Sequence, residues 1–262
     1  QDEYAAPENN RPAVNWVEHL AAQGLPVGAW GSWGGSRRTG YEFNWARSGA
    51  VSANGLVEQA PGVVAQIQSG RVSHVLIQIG INDLNNGLAA DLYAGRPIDP
   101  GAIASTANNI VETARLINAV APGRVIVAST QNYLSLDLVP DPENSIFVDP
   151  AGRQRVIQAF DDLNTRVHAN LPAGVIWFDW NAAMNARLAT LRQGDTLWLG
   201  GQAVSIRVRG NGPANGFVLD TYMHPETAIS GLFAQVYLTE MNDVWGLQLP
   251  ALTDVEIMHR AQ

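Results

Sequence analysis

Three short stretches of the sequence contain residue types that can do chemistry. The stretch "GIND" ends an apolar run with Gly80 and Asn82, and "NWARSGA" places Gly49 after a second candidate strand. The third, "LDTYMHPET", contains Asp220 and His224. A glycine lets backbone N–H groups approach a ligand closely, and an asparagine amide can donate hydrogen bonds to that ligand. An acid that orients a histidine base is part of the machinery of acyl transfer.

Each stretch also has an ordinary structural explanation. Glycine commonly interrupts loops, and Asn or Asp after a strand commonly forms a turn or caps the next helix. A single histidine near a proline is commonly structural. The stretches therefore gain meaning only from the elements that hold them.

These elements alternate between strands and helices. The stretch "RVSHVLIQIGIND" is a continuous run of apolar residues, typical of a buried strand in a parallel sheet that helices cover on both faces. Further strands are predicted at "YEFNWARSGA", "GRVIVAST" and "GVIWFDW", and helices near 11–23, 55–70, 102–121 and 150–169. Such alternation predicts an α/β fold, a three-layer α/β/α sandwich with a mainly parallel sheet.

The alternation stops after Trp180. A short helix is predicted from about Asn181 to Leu191, and the Gly-Gly pair in "DTLWLGGQAVSIRVRG" predicts a small β-hairpin insertion near 196–209. A last long helix is predicted from near Pro225 to about Trp245, followed by a tail. Because no repeat, low-complexity tract or linker interrupts the sequence, residues 1–262 are predicted to form a single domain.

Composition excludes several classes of function. The net charge of −8 argues against nucleic acid as a partner, because phosphate binding needs clustered basic residues. The absence of cysteine excludes disulfides, thiolate metal sites and a cysteine nucleophile, and the histidines lack metal-ligand spacing. No apolar run is long enough for an integral membrane segment.

Considered together, the three stretches follow the order of one known family. The chain resembles the SGNH hydrolases, also called GDSL-type esterases and lipases, over essentially its whole length. The segments "NNRPAVNWVEHLA" and "HPETAISGLFAQ" contribute to the resemblance. The residues that carry it match the second, third and fifth family blocks, and they are Gly49, Gly80, Asn82, Asp83, Asp220 and His224.

The resemblance implies a flavodoxin-like fold and a serine esterase that hydrolyses lipid or carbohydrate acyl esters through an acyl-enzyme. His224 would take the proton of the serine, and Asp220 would hold the imidazole ring. The Gly49 amide and the Asn82 side chain would stabilise the oxyanion, with Asp83 securing the loop. The implied partner is a small-molecule ester, and neither a metal nor a cofactor is expected.

The nucleophile of the family lies in a first block, G-D-S, that does not occur in these 262 residues. Because "QDEYAAPENNRP" is similar to the sequence that follows that block, the serine and the family's first strand are expected upstream of Gln1. Ser32, Ser36 and Ser48 are weaker candidates, since none lies in a G-x-S-x-G elbow. The chain has three residues between Asp220 and His224, where the family usually has two.

Alternative functions fit parts of the same pattern. A catalytically inactive SGNH-like domain would bind acylated or sugar ligands without cleaving them. A flavodoxin-like nucleotide binder would fit the sheet, although the sequence lacks a glycine-rich phosphate loop. Five aromatic residues suit either an acyl or sugar pocket or the core: Trp30, Trp33, Tyr41, Phe43 and Trp45. The compartment stays open, with a preference for a secreted or extracytoplasmic location because exported esterases of this kind are common.

Overall fold

Helices and short strands alternate along the computed structural model of the chain. It describes residues 13–34, 39–85, 87–136, 138, 148–206 and 225–262. The predicted acid and base, Asp220 and His224, lie outside the described residues, and so do Ser36 and the last part of the predicted hairpin, residues 207–209.

Among the described residues, the helices in chain order are α1 (Trp16–Ala22), α2 (Ser52–Asn54), a π-helix (Gly55–Gln59), α3 (Ala60–Gln68), α4 (Ile81–Asn85), α5 (Leu88–Tyr93), α6 (Ala102–Asn118), α7 (Pro150–Asn170), α8 (Trp180–Leu191), α9 (Thr227–Trp245) and α10 (Asp254–Ala261). The strands are β1 (Trp30–Ser32), β2 (Thr39–Tyr41), β3 (Val75–Ile77), β4 (Val125–Ala128), β5 (Val175–Phe178), β6 (Arg192–Gln193), β7 (Thr196–Leu199) and β8 (Gln202–Ser205).

A parallel sheet of three strands, in the order β3-β4-β5, lies at the centre of the fold. Val75 is in register with Val125, and Val125 is in register with Val175. These strands consist largely of Val and Ile, whose branched side chains suit a pleated surface. The prediction of an α/β fold with parallel strands is therefore confirmed.

Both faces of the central strand β4 are buried. Val125 and Val127 belong to an apolar cluster with side chains of α3, α6 and α7. Ile126 and Ala128 point the other way, into a cluster built largely from α8, α9 and α10. This alternation follows from the two-residue period of a strand, which places neighbouring side chains on opposite faces. The core of the protein thus lies on both sides of the sheet.

Side-chain caps fix the starts of α1 and α7, the first and the longest of these helices. The Asn15 side chain accepts hydrogen bonds from the N–H groups of Val17 and Glu18, and the Glu18 carboxylate accepts from the Asn15 N–H, which completes a capping box on α1. Asp149 caps α7 and Pro150 occupies its first turn. A cap of this kind contributes about 1 kcal/mol. The helix predicted from about residue 150 begins at its cap, whereas the helix predicted from residue 11 begins only at Trp16, after the Asn15 cap.

The strand predicted at "YEFNWARSGA" lies earlier in the chain, since β2 (Thr39–Tyr41) includes only the first residue of that stretch. The chain leaves β2 after Tyr41, where Asn44 N–H donates to the Tyr41 carbonyl and closes a turn. The residues before this turn pair antiparallel with β1 instead of joining the parallel sheet. The Glu42 and Phe43 N–H groups extend this pairing by donating to carbonyls of residues 29 and 27. Among the described strands, β3 consequently has a neighbour on one edge only.

The part of the chain after β5 contains the predicted hairpin and one unexpected helix. Strands β7 and β8 pair antiparallel and turn at Gly200 and Gly201, and the short β6 adds a third strand to this small sheet. The sequence after Trp245, predicted as a tail, includes α10. Thr253 caps α10 and exchanges hydrogen bonds with Glu256 in a second capping box. The tail prediction therefore missed a regular element.

Candidate functional site

Gly80 follows the carboxyl end of β3 and lies against Thr130, which follows β4. Its φ of 115° is a left-handed conformation that favours glycine, and a Cβ at this position would lie 2.8 Å from Thr130 Oγ1. The Thr130 hydroxyl donates to the Ile79 carbonyl over 2.8 Å, which fastens the two strand ends together. The glycine of "GIND" is therefore required by both backbone conformation and close packing.

Asn82 contacts the loop that contains Gly49. The sequence places Asn82 at the end of a strand, but it lies in the first turn of α4, with the strand ending at Ile77. Its Nδ2 donates to the Ala50 carbonyl over 2.9 Å. Because an amide nitrogen carries two hydrogens, this bond fixes the orientation of the amide and leaves the second N–H available. The structure thus brings two of the predicted site residues together.

Gly49 presents its backbone to solvent. Its φ is 76°, and a Cβ at this position would have no neighbouring atom within 4 Å. No described residue accepts a hydrogen bond from the Gly49 N–H, although the next N–H, of Ala50, closes a turn to the Arg47 carbonyl over 3.3 Å. The glycine therefore sets the direction of the loop and leaves one N–H without an acceptor in the loop whose Ala50 carbonyl binds the Asn82 amide.

Asp83 holds the other side of the same loop. One carboxylate oxygen accepts the Ser52 N–H over 2.7 Å, and the other accepts the Ser52 hydroxyl over 2.6 Å. Asn109 Nδ2 on α6 donates to the Ser52 Oγ over 3.1 Å. Ser52 is fully buried, so water does not reach the serine end of these bonds, whereas Asp83 and Asn109 are partly exposed. The neighbouring residues Asn82 and Asp83 thus bind the loop at two points, the Ala50 carbonyl and Ser52.

The π-helix supplies a second set of anchors to the loop. It ends with the Ala60 N–H donating to the Gly55 carbonyl, the i to i+5 pattern that defines this rare helix. Glu58 accepts from Asn54 Nδ2 over 2.7 Å and forms an ion pair with Arg47 at 2.8 Å. The Asn54 side chain in turn accepts the Val51 N–H over 3.0 Å. The loop from 47 to 52 is therefore held at both ends.

A polar cluster that the sequence did not predict lies at the carboxyl ends of β4 and β5. Asn164 on α7 binds both the N–H and the carbonyl of Thr130, at 2.7 and 3.1 Å, much as a neighbouring strand would. Asn181 on α8 donates to the Thr130 carbonyl and to the Ser129 hydroxyl, and it accepts the Asn132 N–H. These amides satisfy the backbone where the strands end and hold the sheet edge rigid.

Two buried tyrosines lie behind this edge, on the α9 side. The Tyr237 hydroxyl donates to Gln78 Oε1, and Gln78 Nε2 donates to the Ser129 carbonyl over 2.9 Å. The Tyr133 hydroxyl donates to Gln131 Oε1 over 2.9 Å. Burial raises the pKa of both phenols well above its usual value. Both therefore remain neutral donors and fix the residues that follow β3 and β4.

The acidic groups near this edge have structural contacts. Burial raises the pKa of Asp161, the Asn132 amide opposes this effect and the Asp179 charge adds to it. Asp179 caps α8 by accepting the Ala182 N–H over 3.0 Å. Asp162 forms an ion pair with Arg166 at 2.9 Å. Asp161 and Asp162 both lie on α7, within the helix predicted near 150–169.

Five aromatic residues were considered as the lining of a pocket. In the structure they pack against α3 or within the β1–β2 hairpin. Trp45 packs over Gly62 and donates to Gln66 Oε1 over 2.9 Å, and Phe43 lies beneath the Arg71 guanidinium. Trp30 is half exposed and meets Tyr41 edge-on, whereas Trp33 donates to the Gly40 carbonyl over 2.8 Å. These contacts assign them to α3 and to the β1–β2 hairpin.

Candidate nucleophiles among the described residues are limited. Ser52 is buried and bonded to Asp83, Ser32 is exposed in β1, and Ser48 precedes Gly49 in the loop. A serine and a histidine do meet at Ser73 and His74, 2.9 Å apart, but at the amino end of β3, opposite to Asn82. In the described part of the chain, no three His, Asp or Glu side chains gather as a metal site.

Within the described part of the chain, no helix is both long and apolar enough to cross a membrane. The chain matches no protein-family model, no curated protein and no solved structure.

Proposed function

We propose that this chain is a serine esterase of the SGNH type, which hydrolyses carboxylic esters of lipids or carbohydrates through an acyl-enzyme intermediate. In this mechanism a serine oxygen attacks the ester carbonyl while His224, held by Asp220, takes the proton. The carbonyl oxygen then becomes negatively charged, and the Gly49 N–H and the Asn82 amide donate to it. The substrate is a small-molecule ester, and the reaction needs no cofactor.

The hydrogen bond from Asn82 Nδ2 to the Ala50 carbonyl supports this proposal best. It fixes the Asn82 amide before any ligand arrives and directs one remaining N–H away from Ala50. The exposed N–H of Gly49 belongs to the same loop. Donors held in place in this way need no reorganisation when charge develops, and each can lower the barrier by roughly 3 to 4 kcal/mol.

The proposal also includes the architecture. We propose that the β3-β4-β5 sheet is the centre of a three-layer α/β/α sandwich of the flavodoxin-like type. Support comes from β4, whose side chains enter apolar clusters on both faces. In such sheets ligands bind beyond the carboxyl ends of the strands, and Gly80 and Asn82 follow the carboxyl end of β3.

Hydrolysis of a short-chain p-nitrophenyl ester by the full-length protein tests the function. We expect Asn82→Ala to lower kcat about 10²- to 10³-fold, because one oxyanion donor is lost. Asn118→Ala is the matched control, since Asn118 Nδ2 also donates to a carbonyl, that of Ala173, but at the opposite end of the sheet. It should keep the wild-type kcat.

Labelling with a fluorophosphonate probe, followed by peptide mapping, identifies the nucleophile independently. We expect one serine to react and His224→Ala to abolish the reaction, because the serine must be deprotonated to attack phosphorus. A protein that neither hydrolyses the ester nor takes up the probe, yet binds an acylated ligand, would be the inactive domain of the alternative hypothesis.

A further inference from the structure

Asp83 and Asn82 are adjacent, but their side chains act on different points of one loop. Asn82 donates to the Ala50 carbonyl, whereas Asp83 accepts both the N–H and the hydroxyl of Ser52. The peptide between these two points contains Val51, whose N–H is bonded to Asn54. The direction of the Ala50 carbonyl, and hence of the Asn82 amide, is therefore set jointly by the Asn54 side chain and by where Asp83 holds Ser52.

Ser52 also begins a helical segment that runs without a break through α2, the π-helix and α3, from 52 to 68. The first N–H groups of a helix lack partners inside it and carry partial positive charge. The Asp83 carboxylate accepts the first of these groups, which fixes the point where the loop turns into a helix. Thr106 Oγ1 lies 3.4 Å from the same carboxylate, on the α6 side.

The direction of each hydrogen bond around Ser52 is determined. Asn109 Nδ2 can only donate, so the Ser52 oxygen accepts from it and the Ser52 hydroxyl hydrogen points to Asp83. The series of hydrogen bonds from Asn109 through Ser52 to Asp83 therefore needs an amide at position 109 and a carboxylate at position 83. All three side chains belong to different elements, so the network ties α6 and α4 to the loop.

We propose that Asp83, acting through Ser52, is a positioning residue that keeps Asn82 and Gly49 in the geometry needed for an oxyanion; this inference rests on the proposed function. Asp83 touches no reacting atom in this scheme. Replacing Asp83 keeps both donors, the Gly49 N–H and the Asn82 amide, but allows the loop from 47 to 52 to shift relative to Asn82.

Steady-state ester hydrolysis by the full-length protein tests the proposal. We expect Asp83→Asn to lower kcat about 10- to 100-fold, because a misplacement of about 1 Å costs up to that much. The KM should stay within about twofold, since the donors act mainly on the transition state. Ser52→Ala provides a second variant in case Asp83→Asn fails to fold, and it should lower kcat in the same way.

The rescue variant is Asp83→Asn combined with Asn109→Asp. It reverses the Ser52 hydroxyl, which then donates to position 109 and accepts from position 83, while the Ser52 N–H keeps an oxygen acceptor at position 83. We expect this double variant to recover kcat to within about threefold of wild type, although Asn109→Asp alone places two carboxylates around one hydroxyl and is expected to be slow.

Val167→Ala is the stability control, because Val167 is buried in the cluster on one face of the sheet and lies near the far end of α7. It should lower the Tm and leave kcat unchanged. The proposal is overturned if Asp83→Asn and Ser52→Ala keep the wild-type kcat, or if the double variant is as slow as Asp83→Asn. Asn82→Ala, measured in parallel, separates the two proposals. If kcat falls for Asn82→Ala but not for Asp83→Asn or Ser52→Ala, only the role of Asp83 is overturned. If Asn82→Ala keeps the wild-type kcat, the proposed function is overturned.

Discussion

At the scale of single residues, Gly49 combines a left-handed backbone with an unbonded N–H. We expect Gly49→Ala to lower the free energy of unfolding by about 1 kcal/mol, because a side chain is strained at a φ of 76° even where space is open. We also expect kcat to fall about tenfold or more, since the loop relaxes and turns the N–H away from the oxyanion.

The matched control for this variant is Gly70→Ala. Gly70 has a φ of 73°, its Cβ would likewise meet no atom within 4 Å, and it lies in the turn after α3. Chemical denaturation should show the same loss of stability for both variants, whereas ester hydrolysis should fall only for Gly49→Ala. Equal kcat values for the two variants would exclude the Gly49 N–H as a donor.

The sequence was enough to propose residues for the candidate site but not to show how they are held. Gly49, Gly80 and Asn82 could be identified from residue type and position. Ser52 could not, because its partner Asp83 is 31 positions away and a buried serine has no local pattern. The same applies to Asn164 and Asn181, whose bonds to Thr130 arise only when α7 and α8 pack at the sheet edge.

At the scale of elements, the edge of β3 gives a direct prediction. The Val75 N–H donates toward β4, to the Arg124 carbonyl, so the Leu76 N–H must point to the opposite edge, and the Ile77 N–H points back to β4. No described strand lies on that opposite edge. The backbone groups there depend on solvent or on chain that the structure does not describe.

Amide hydrogen exchange followed by NMR tests this edge. In a protein of residues 1–262 we expect the Leu76 N–H to exchange about 100-fold faster than the Ile77 N–H, although both lie in the same three-residue strand, whereas in a longer protein with the first strand of the SGNH resemblance we expect equal protection. The Ile126 N–H in the central strand β4 should exchange as slowly as that of Ile77. Equal protection of Leu76 and Ile77 would show that another strand covers the edge, as the SGNH resemblance implies.

Helices and strands were predicted correctly where the spacing of apolar residues was regular. They were missed where capping or packing determines the structure. The helices α6, α7 and α9 and the strands β4 and β5 all lie where apolar spacing predicted them. The helix α10 was missed, although Thr253 and Glu256 have the spacing of a capping box. The π-helix has no comparable signal, because the choice between i+4 and i+5 bonding follows from packing.

At the scale of the whole molecule, His19 connects three helices that are far apart in sequence. It is fully buried on α1, its Nε2 lies 3.1 Å from the Thr227 carbonyl at the start of α9, and its Nδ1 lies 3.0 Å from Arg260 Nη1 on α10. Since Arg260 can only donate, Nδ1 accepts and Nε2 carries the hydrogen. The network therefore requires the neutral imidazole.

Burial lowers the pKa of His19 from 6.5 to about 4, the Arg260 charge adds to this effect and the bond to the Thr227 carbonyl opposes it. The unfolded chain binds a proton below pH 6.5, whereas the native protein does not until about pH 4. The stability contributed by the neutral ring is thus complete above pH 6.5 and is lost as the pH falls from 6.5 toward 4. Between pH 7 and pH 5 we expect a loss of about 2 kcal/mol from this residue.

His19→Gln isolates this contribution, because the glutamine amide keeps one donor and one acceptor but does not titrate. Chemical denaturation at pH 7 and at pH 5 should show that wild type loses about 2 kcal/mol more than His19→Gln, since the other titrating groups are common to both proteins. Parallel losses in the two proteins would mean that His19 binds a proton as easily in the native state as in the unfolded one. A steeper loss in wild type would show that the native state favours the neutral His19 ring, the form whose bonds connect α1 to α9 and α10.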